Sequence, residues 1–185
     1  KVTFDSAWPC ETSQNCSGTV KFKRHSNDIV NSLPADLSVI TADGTDKANY
    51  NGALIYATDL EGKLTKINLT DKATLYDTTT LFTAESTSAN GRYIYTRPEV
   101  TINNDNNLWL YFGTGNTQKL QSQSSQVKNR LYGIKDKNFP NFVKVNPAGE
   151  ISKCKTAPTC PNDTDLGWYV DLKRSQKLTA EPTVD

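Results

Sequence analysis

The sequence predicts an all-β protein, and three observations carry that prediction. Helical periodicity is scarce, because no window places apolar residues at i, i+3, i+4 and i+7. Short apolar or alternating runs recur along the chain instead, as strands require. Clusters of Gly, Asn, Asp, Ser and Thr separate these runs and supply the turns between strands. We therefore predict strands at residues 19–23, 37–41, 53–57, 63–69, 93–96, 100–102, 108–112, 130–135, 142–145 and 167–172.

Length and charge limit the classes of function that the chain can serve. Its 185 residues are enough for one domain with a sizeable core. The 21 basic and 20 acidic residues leave a formal net charge of +1, so no overall field attracts nucleic acid or an anionic membrane. No apolar run reaches the roughly 18 residues of a membrane span, and no signal segment opens the chain. We expect a mature fragment with any signal upstream.

A degenerate repeat appears when proline is used as its marker. Pro34, Pro98 and Pro182 each precede a predicted strand after a polar stretch. In the first two units a loop rich in Asp and Asn follows, then an apolar strand, then another strand. Propeller blades have about 40–50 residues and four strands each, so the chain would hold a partial β-propeller of about three to four blades of antiparallel strands.

The third unit begins at the C-terminus, which indicates a fragment of a larger propeller. We expect residues 1–30 to form an N-terminal segment with a cysteine loop and the first strands. Residues 31–185 would form the blades. The polar insertion at 118–128 has the composition of a solvated loop, and a binding loop is the alternative.

Four cysteines form two pairs with identical spacing: Cys10 with Cys16, and Cys154 with Cys160. Such even, local pairs indicate disulfides in an oxidising compartment, which points to the periplasm or the cell surface. The competing interpretation is a cysteine-rich metal site. Zinc motifs favour shorter spacings with further His or Cys nearby, and His25 is the only histidine.

Motifs for catalysis are missing from the sequence. It contains no nucleophile elbow, no zinc-protease motif and no Walker loop. Gly113-Thr-Gly115 lacks the third glycine and the following helix of a dinucleotide site. Any Ser/His/Asp triad would have to use His25, the only histidine. It lies at a basic strand end, where an exposed strand terminus is the stronger interpretation. We therefore predict that the protein is not an enzyme.

Two loops offer oxygen ligands of the kind that calcium prefers. The loop at 103–107 contributes one carboxylate, Asp105, so a plain hairpin turn is the stronger interpretation there. Neither loop matches the spacing of an EF-hand. The other loop, at residues 43–51, comes first in the chain. Its candidate calcium ligands are Asp43, Thr45, Asp46, Asn49 and Asn51.

Two neighbouring motifs carry a resemblance to a known family. Leu108-Trp-Leu-Tyr-Phe-Gly-Thr-Gly115 is followed by Asn129-Arg-Leu-Tyr-Gly-Ile-Lys-Asp136. Together they resemble the β-propeller domain of the PilC-type tip adhesins of bacterial type IV pili. Gly167-Trp-Tyr-Val-Asp-Leu172 is similar to a further strand of that domain. The resemblance extends from about Pro34 to Val184 and leaves the first 30 residues unmatched.

The resemblance implies a factor for type IV pilus biogenesis and adhesion, exported through the periplasm to the cell surface or pilus tip. Its partners would be minor pilins and host-surface ligands. In that family an Asp/Asn-rich calcium loop precedes a strand similar to the one that begins at Tyr56, so calcium at 43–51 is implied as a regulator. This loop departs from the pattern at Lys47 and Asn51.

Two other classes of function stay open. A quinoprotein-type dehydrogenase also uses propeller blades, but this sequence lacks the regularly repeated tryptophan signatures of such enzymes. A non-catalytic scaffold for envelope assembly, docking through residues 1–30, is the other. The aromatic residues Trp109, Tyr111, Phe112, Trp168 and Tyr169 are predicted to pack in the core.

Overall fold

The described part of the chain is all-β, as the sequence predicts. A computed structural model describes residues 2–3, 21–22, 31–42, 52–84, 91–121, 127–146, 151–153 and 165–184. Apart from strands, these ranges contain a 3-10 helix of three residues, Thr117–Lys119. The strands are β1 (Val2–Thr3), β2 (Lys21–Phe22), β3 (Ser38–Thr41), β4 (Ala53–Thr58), β5 (Lys63–Asn68), β6 (Thr78–Thr83), β7 (Glu99–Ile102), β8 (Leu108–Gly113), β9 (Arg130–Asp136), β10 (Ser152–Lys153) and β11 (Gly167–Asp171).

Each of the first two repeat units forms a four-stranded antiparallel meander. The first sheet has the strand order β3-β4-β5-β6, and the second runs β7-β8-β9-β11 with β10 parallel to β11 at its edge. A separate antiparallel pair joins β1 to β2. The two meanders correspond to the predicted blades. The propeller and its number of blades stay predictions.

Two segments predicted as strands, 93–96 and 142–145, are irregular instead. Both contribute apolar side chains to the core, since Ile94 is 0% exposed and Phe142 is 9% exposed. Their backbone groups form hydrogen bonds with side chains and loops rather than with a neighbouring strand. For example, the N–H of Val145 donates to Thr79 Oγ1 at 3.0 Å. The apolar runs therefore predicted correctly that these segments are buried, but the prediction that they form strands was wrong.

Strand β6 was not predicted, because threonines fill four of its six positions, Thr78-Thr-Thr-Leu-Phe-Thr83. Threonine favours strands through its branched Cβ but gives no apolar alternation to recognise. Leu81 and Phe82 are nevertheless buried, and Phe82 completes the face that the first sheet presents to the second.

The main core lies between the two sheets. The ring centroid of Phe82 is 5.0 Å from that of Tyr132 and 6.1 Å from that of Phe112, so aromatic residues of both sheets interlock. The aromatic packing predicted for Phe112 is confirmed, since its side chain is fully buried. The buried hydrophobic cluster comprises Leu54, Tyr56, Leu64, Leu81, Phe82, Ala84, Ile94, Leu108, Leu110, Phe112, Tyr132, Ile134 and Phe142.

Hydrogen bonds also connect the two sheets near their first strands, β3 and β7, which contact each other. The hydroxyl of Ser38 donates to the carbonyl of Pro98. Thr58 Oγ1 donates to the carbonyl oxygen of Thr96 at 2.8 Å. These bonds fix the relative position of the sheets at one edge, and the aromatic core fixes it across the faces.

Candidate functional site

The residues with predicted metal and disulfide roles lie outside the described residues. They are Asp43, Thr45, Asp46, Asn49 and Asn51, together with Cys10, Cys16, Cys154 and Cys160. The predicted calcium loop connects β3 to β4, and a backbone hydrogen bond of 3.2 Å joins Ala42 and Gly52 on either side of it. The calcium site and the disulfides stay predictions.

The second Asp/Asn loop is the tight turn of the β7–β8 hairpin. Asn103 Oδ1 accepts hydrogen bonds from the backbone N–H groups of Asp105 at 3.2 Å and Asn107 at 2.9 Å. Asn106 has the positive φ of 60° that such a turn requires and that asparagine tolerates. The oxygen of Asn103 therefore serves the turn, in keeping with the plain hairpin interpretation. Among the described residues, no group of three or more His, Cys, Asp or Glu could hold a metal ion.

The Gly-Thr-Gly sequence that ends β8 has a packing role. A Cβ atom at Gly113 would lie 2.0 Å from the Leu178 side chain, and one at Gly115 would lie 2.6 Å from Lys177. Thr114 is fully buried, and its Oγ1 accepts a hydrogen bond of 2.9 Å from the N–H of Arg130, where β9 begins. These glycines make room for the C-terminal segment.

In the first sheet, Asp59 follows β4 and holds the turn that leads into β5. Its Oδ1 accepts hydrogen bonds of 2.9 Å from the N–H groups of Glu61 and Lys63, which closes the turn between β4 and β5. Its Oδ2 is buried and has no hydrogen-bond partner among the described residues. Burial raises the pKa of the Asp59 carboxyl, because an ion costs more free energy than an acid where water is excluded.

A buried polar cluster of Tyr56, Lys66 and Asp136 lies between the sheets and is the most unusual chemical feature of the described residues. Lys66 Nζ is 2.5 Å from Asp136 Oδ2, and the two side chains are 0% and 1% exposed. The hydroxyl of Tyr56 donates to the same oxygen at 2.8 Å. Lysine and aspartate are almost never fully buried unless they are paired, so this pair depends on its partners.

Strand register brings the cluster together. Tyr56 on β4 is directly opposite Lys66 on β5, so both side chains extend from the same face of the first sheet. Asp136 is the last residue of β9 in the second sheet. The chain then turns, and the N–H of Asn138 donates to Asp136 Oδ1 at 3.1 Å. The cluster thus joins the middle of one sheet to the end of a strand in the other.

Aromatic rings and one carbonyl complete the surroundings of the lysine. Lys66 Nζ donates to the carbonyl oxygen of Asn141 at 2.8 Å. The rings of Tyr56 and Phe142 each have their centroid 6.0 Å from Nζ, within the range of a cation–π contact. Burial lowers the pKa of Lys66, and the carboxylate of Asp136 partly opposes that shift. Burial also raises the pKa of Tyr56, and the Asp136 charge adds to that effect.

The sequence motifs did not identify this cluster, although the sequence contains one signal for it. In β5, Leu64 and Lys66 are two residues apart and therefore face the same side of the sheet. A lysine in register with a core leucine indicates a buried cation. Nothing in the sequence identifies Asp136 as its partner, because 70 residues separate the two.

An open cavity of about 310 Å³ lies beside the cluster. Its lining includes the apolar residues Leu81 and Val145 and the polar residues Lys135, Asp136 and Asn138. Asp136 therefore lines the cavity as well as the interface between the sheets, although it is 2% exposed.

The opposite face of the second sheet carries a row of aromatic residues. Trp109 and Tyr111 are stacked at 6.4 Å with an interplanar angle of 9°, and Trp168 lies 6.0 Å from Tyr111. Trp168 sits over Gly133, where a Cβ atom would be 2.5 Å from the indole. Lys135 Nζ is 5.3 Å from the Trp109 ring. The packing role predicted for Trp109 is confirmed by its exposure of 7%.

The chain is similar in sequence to a known bacterial protein. The chain is 28% identical over 173 residues to a type IV pilus biogenesis factor PilY1 homolog of Xylella fastidiosa strain Temecula1. The match covers 72% of this chain and 12% of that relative. The chain thus corresponds to a small part of the longer protein.

No family model matches the chain, and no solved structure matches it significantly. The similarity to the PilY1 homolog agrees with the resemblance that the strand motifs indicate. In the described ranges, no helix has the length and apolar character needed to cross a membrane.

Proposed function

We propose that this chain is a β-propeller segment of a type IV pilus biogenesis factor that acts at the cell surface, at the pilus tip, and contributes to adhesion. The similarity to the PilY1 homolog over 72% of the chain carries this proposal. The two consecutive antiparallel meanders support the propeller, because each has the four strands of a blade.

The role is one of binding and mechanics rather than catalysis. The buried polar cluster directs its hydrogen bonds inward, from Tyr56 and Lys66 to Asp136. Together with the aromatic core, it links the two sheets. Such a link suits a module that transmits load between a filament and a surface, with minor pilins and host-surface ligands as its partners.

Calcium regulation is part of the proposal. The loop from Asp43 to Asn51 offers oxygen ligands and leads directly into β4, whose residues Tyr56 and Thr58 contribute to the interface between the sheets. Calcium bound there would order the connection between β3 and β4. Metal occupancy would thereby change the rigidity of one blade.

Fractionation of pili tests the location and the partners. The full-length protein that contains this segment is tagged in the organism that encodes it, and surface pili are sheared from the cells. We expect the tagged protein in the sheared fraction together with minor pilins, and its loss from that fraction in a strain without the major pilin. Tagged protein confined to the cell body, or shed equally without pili, would contradict the proposal.

A genetic experiment tests the role in biogenesis. We expect deletion of the gene to reduce surface pili, and removal of the retraction motor in the same strain to restore them, because the protein would oppose retraction. Attachment to host cells should stay low in that restored strain, since the adhesive segment is missing. Unchanged pilus numbers in the first strain would exclude a role in biogenesis, and a scaffold elsewhere in the envelope would replace it.

A further inference from the structure

We propose that Lys66 and Asp136 form an intramolecular isopeptide bond, a covalent amide between the two sheets. The amine of Lys66 lies 2.5 Å from Asp136 Oδ2, and both side chains are buried, at 0% and 1% exposure. The inference rests on this geometry and is independent of any role in pili.

The neutral amine is the nucleophilic form of Lys66, and burial shifts the equilibrium towards it, against the opposing effect of the Asp136 charge. An ammonium ion and a carboxylate lose their hydration when they are buried. Transfer of one proton from Lys66 to Asp136 turns the ion pair into a neutral amine and a neutral acid. Burial lowers the pKa of Lys66 and so favours this transfer. Fixed proximity raises the rate further, since well-oriented groups reach effective concentrations of about 10⁵ M or more.

The carboxyl group of Asp136 has a donor on each oxygen. The backbone N–H of Asn138 points at Oδ1 from 3.1 Å and can stabilise the negative charge that develops there during attack. The hydroxyl of Tyr56 donates to Oδ2 at 2.8 Å and assists the departure of that oxygen. The two oxygens are thus distinguished, one as the oxyanion and one as the leaving group.

The step balances without another reagent. Lys66 Nζ forms a bond to Asp136 Cγ, and the bond from Cγ to Oδ2 breaks. Two of the three ammonium protons leave with Oδ2 as one molecule of water, and the third remains on the amide nitrogen. That N–H can keep the carbonyl of Asn141 as its acceptor, now 2.8 Å from Nζ. No oxidant, reductant or nucleotide is consumed.

Loss of charge favours the product over the ion pair. The amide is neutral, so the desolvation cost of two buried charges disappears. Asp136 also lines the open cavity, into which the water would be released. The bond would connect β5 of the first sheet to β9 of the second and close the intervening chain into a covalent loop.

Mass spectrometry of the full chain tests the proposal. The folded protein is incubated, then denatured and reduced so that disulfides do not contribute. We expect an intact mass below the sequence mass by one water molecule, and a branched tryptic peptide in which Lys66 is uncleaved and joined to the peptide that contains Asp136. The full sequence mass for the folded protein would overturn the proposal.

Variants separate this bond from other losses of water. Lys66→Arg keeps a buried cation but has no amine for the amide, so its mass should equal its sequence mass. Asp136→Asn would release ammonia instead of water and give the same product as the wild type. Dehydration at Asp43-Gly44, where a succinimide can form, would show the same mass change without the branched peptide, and that result also overturns the proposal.

The rate of amide formation tests the proposed role of the Tyr56 hydroxyl. Tyr56→Phe retains the ring and removes the donor to Oδ2, so the branched peptide should accumulate more slowly than in the wild type. A refolding time course measures that rate. Because the decisive result is the mass of the folded wild-type chain, failure of any variant to fold leaves the test intact.

Discussion

Tyr56 and Lys66 lie directly opposite each other on β4 and β5, and both donate to the same carboxylate oxygen of Asp136 in the other sheet. A single buried oxygen therefore holds two strands of one sheet against the end of a strand in its neighbour. Both carboxylate oxygens have donors, because Asn138 donates to the second oxygen. Removal of the Asp136 carboxylate would leave the Lys66 amine and the Tyr56 hydroxyl buried without their shared acceptor.

Asp136→Ala should be less stable than the double variant Lys66→Met with Asp136→Leu by about 3–5 kcal/mol, since only the single variant leaves Lys66 as a buried cation without its partner. Neither variant can form the proposed amide, so the comparison isolates the cost of the buried charge. Urea unfolding of the two proteins measures the free energies. Equal stability of the single and double variants would show that the unpaired charge of Lys66 does not destabilise the single variant.

Asp59→Asn should flatten the dependence of stability on pH. Burial raises the pKa of Asp59, so the folded state holds its proton above the unfolded pKa of about 3.9. Between the two values the folded protein binds more protons than the unfolded chain, and stability falls as the pH rises. The amide keeps the acceptor for Glu61 and Lys63 and does not ionise.

Thermal melts from about pH 4 to about pH 7 measure this effect, a window that begins at the unfolded value and extends to neutral pH. Asp105→Asn is the matched control, because it removes one negative charge at an exposed turn. If Asp59→Asn showed the same dependence of stability on pH as the wild type, the Asp59 carboxyl would have no part in that dependence.

Gly133→Ala should destabilise the second sheet by about 1–3 kcal/mol, the usual range for overpacking. The new Cβ would lie 2.5 Å from the indole of Trp168, so the ring would have to shift from its contact with Tyr111. Tryptophan fluorescence and urea unfolding report the displacement and the loss of stability.

Gly91→Ala is the control for that substitution. Its Cβ would approach the Tyr93 side chain within 2.8 Å, but it meets the outer atoms of a ring that can rotate away. We expect nearly unchanged stability there. A large loss in Gly91→Ala and none in Gly133→Ala would contradict the assigned packing.

Calcium binding should depend on the loop between β3 and β4. Calorimetry on the chain should detect binding at micromolar to millimolar calcium, and Asp43→Ala and Asp46→Ala should abolish it, because calcium requires carboxylate oxygens. Asp105→Ala in the β7–β8 turn should bind as the wild type does. If all variants bind equally, the metal lies elsewhere, and no binding at all would remove calcium from the proposed function.

The sequence by itself determined the all-β class and the places of most strands. Alternating and apolar runs at β4, β5, β8 and β9 identified these strands, because strand side chains alternate between faces and turn residues mark the ends. It also indicated that the loop at 103–107 is a hairpin turn, since the signal for a turn is contained in five neighbouring residues.

Only the tertiary structure decided which segments complete the core and which charges meet. The threonines of β6 form a strand because β5 offers its free edge, and 93–96 stays irregular because its carbonyls bond to Thr58 and Gly115 instead of a ladder. The pairing of Lys66 with Asp136 depends on how two sheets stack across 70 residues of sequence. A local pattern can show that a residue faces the core, but it cannot show what lies on the other side.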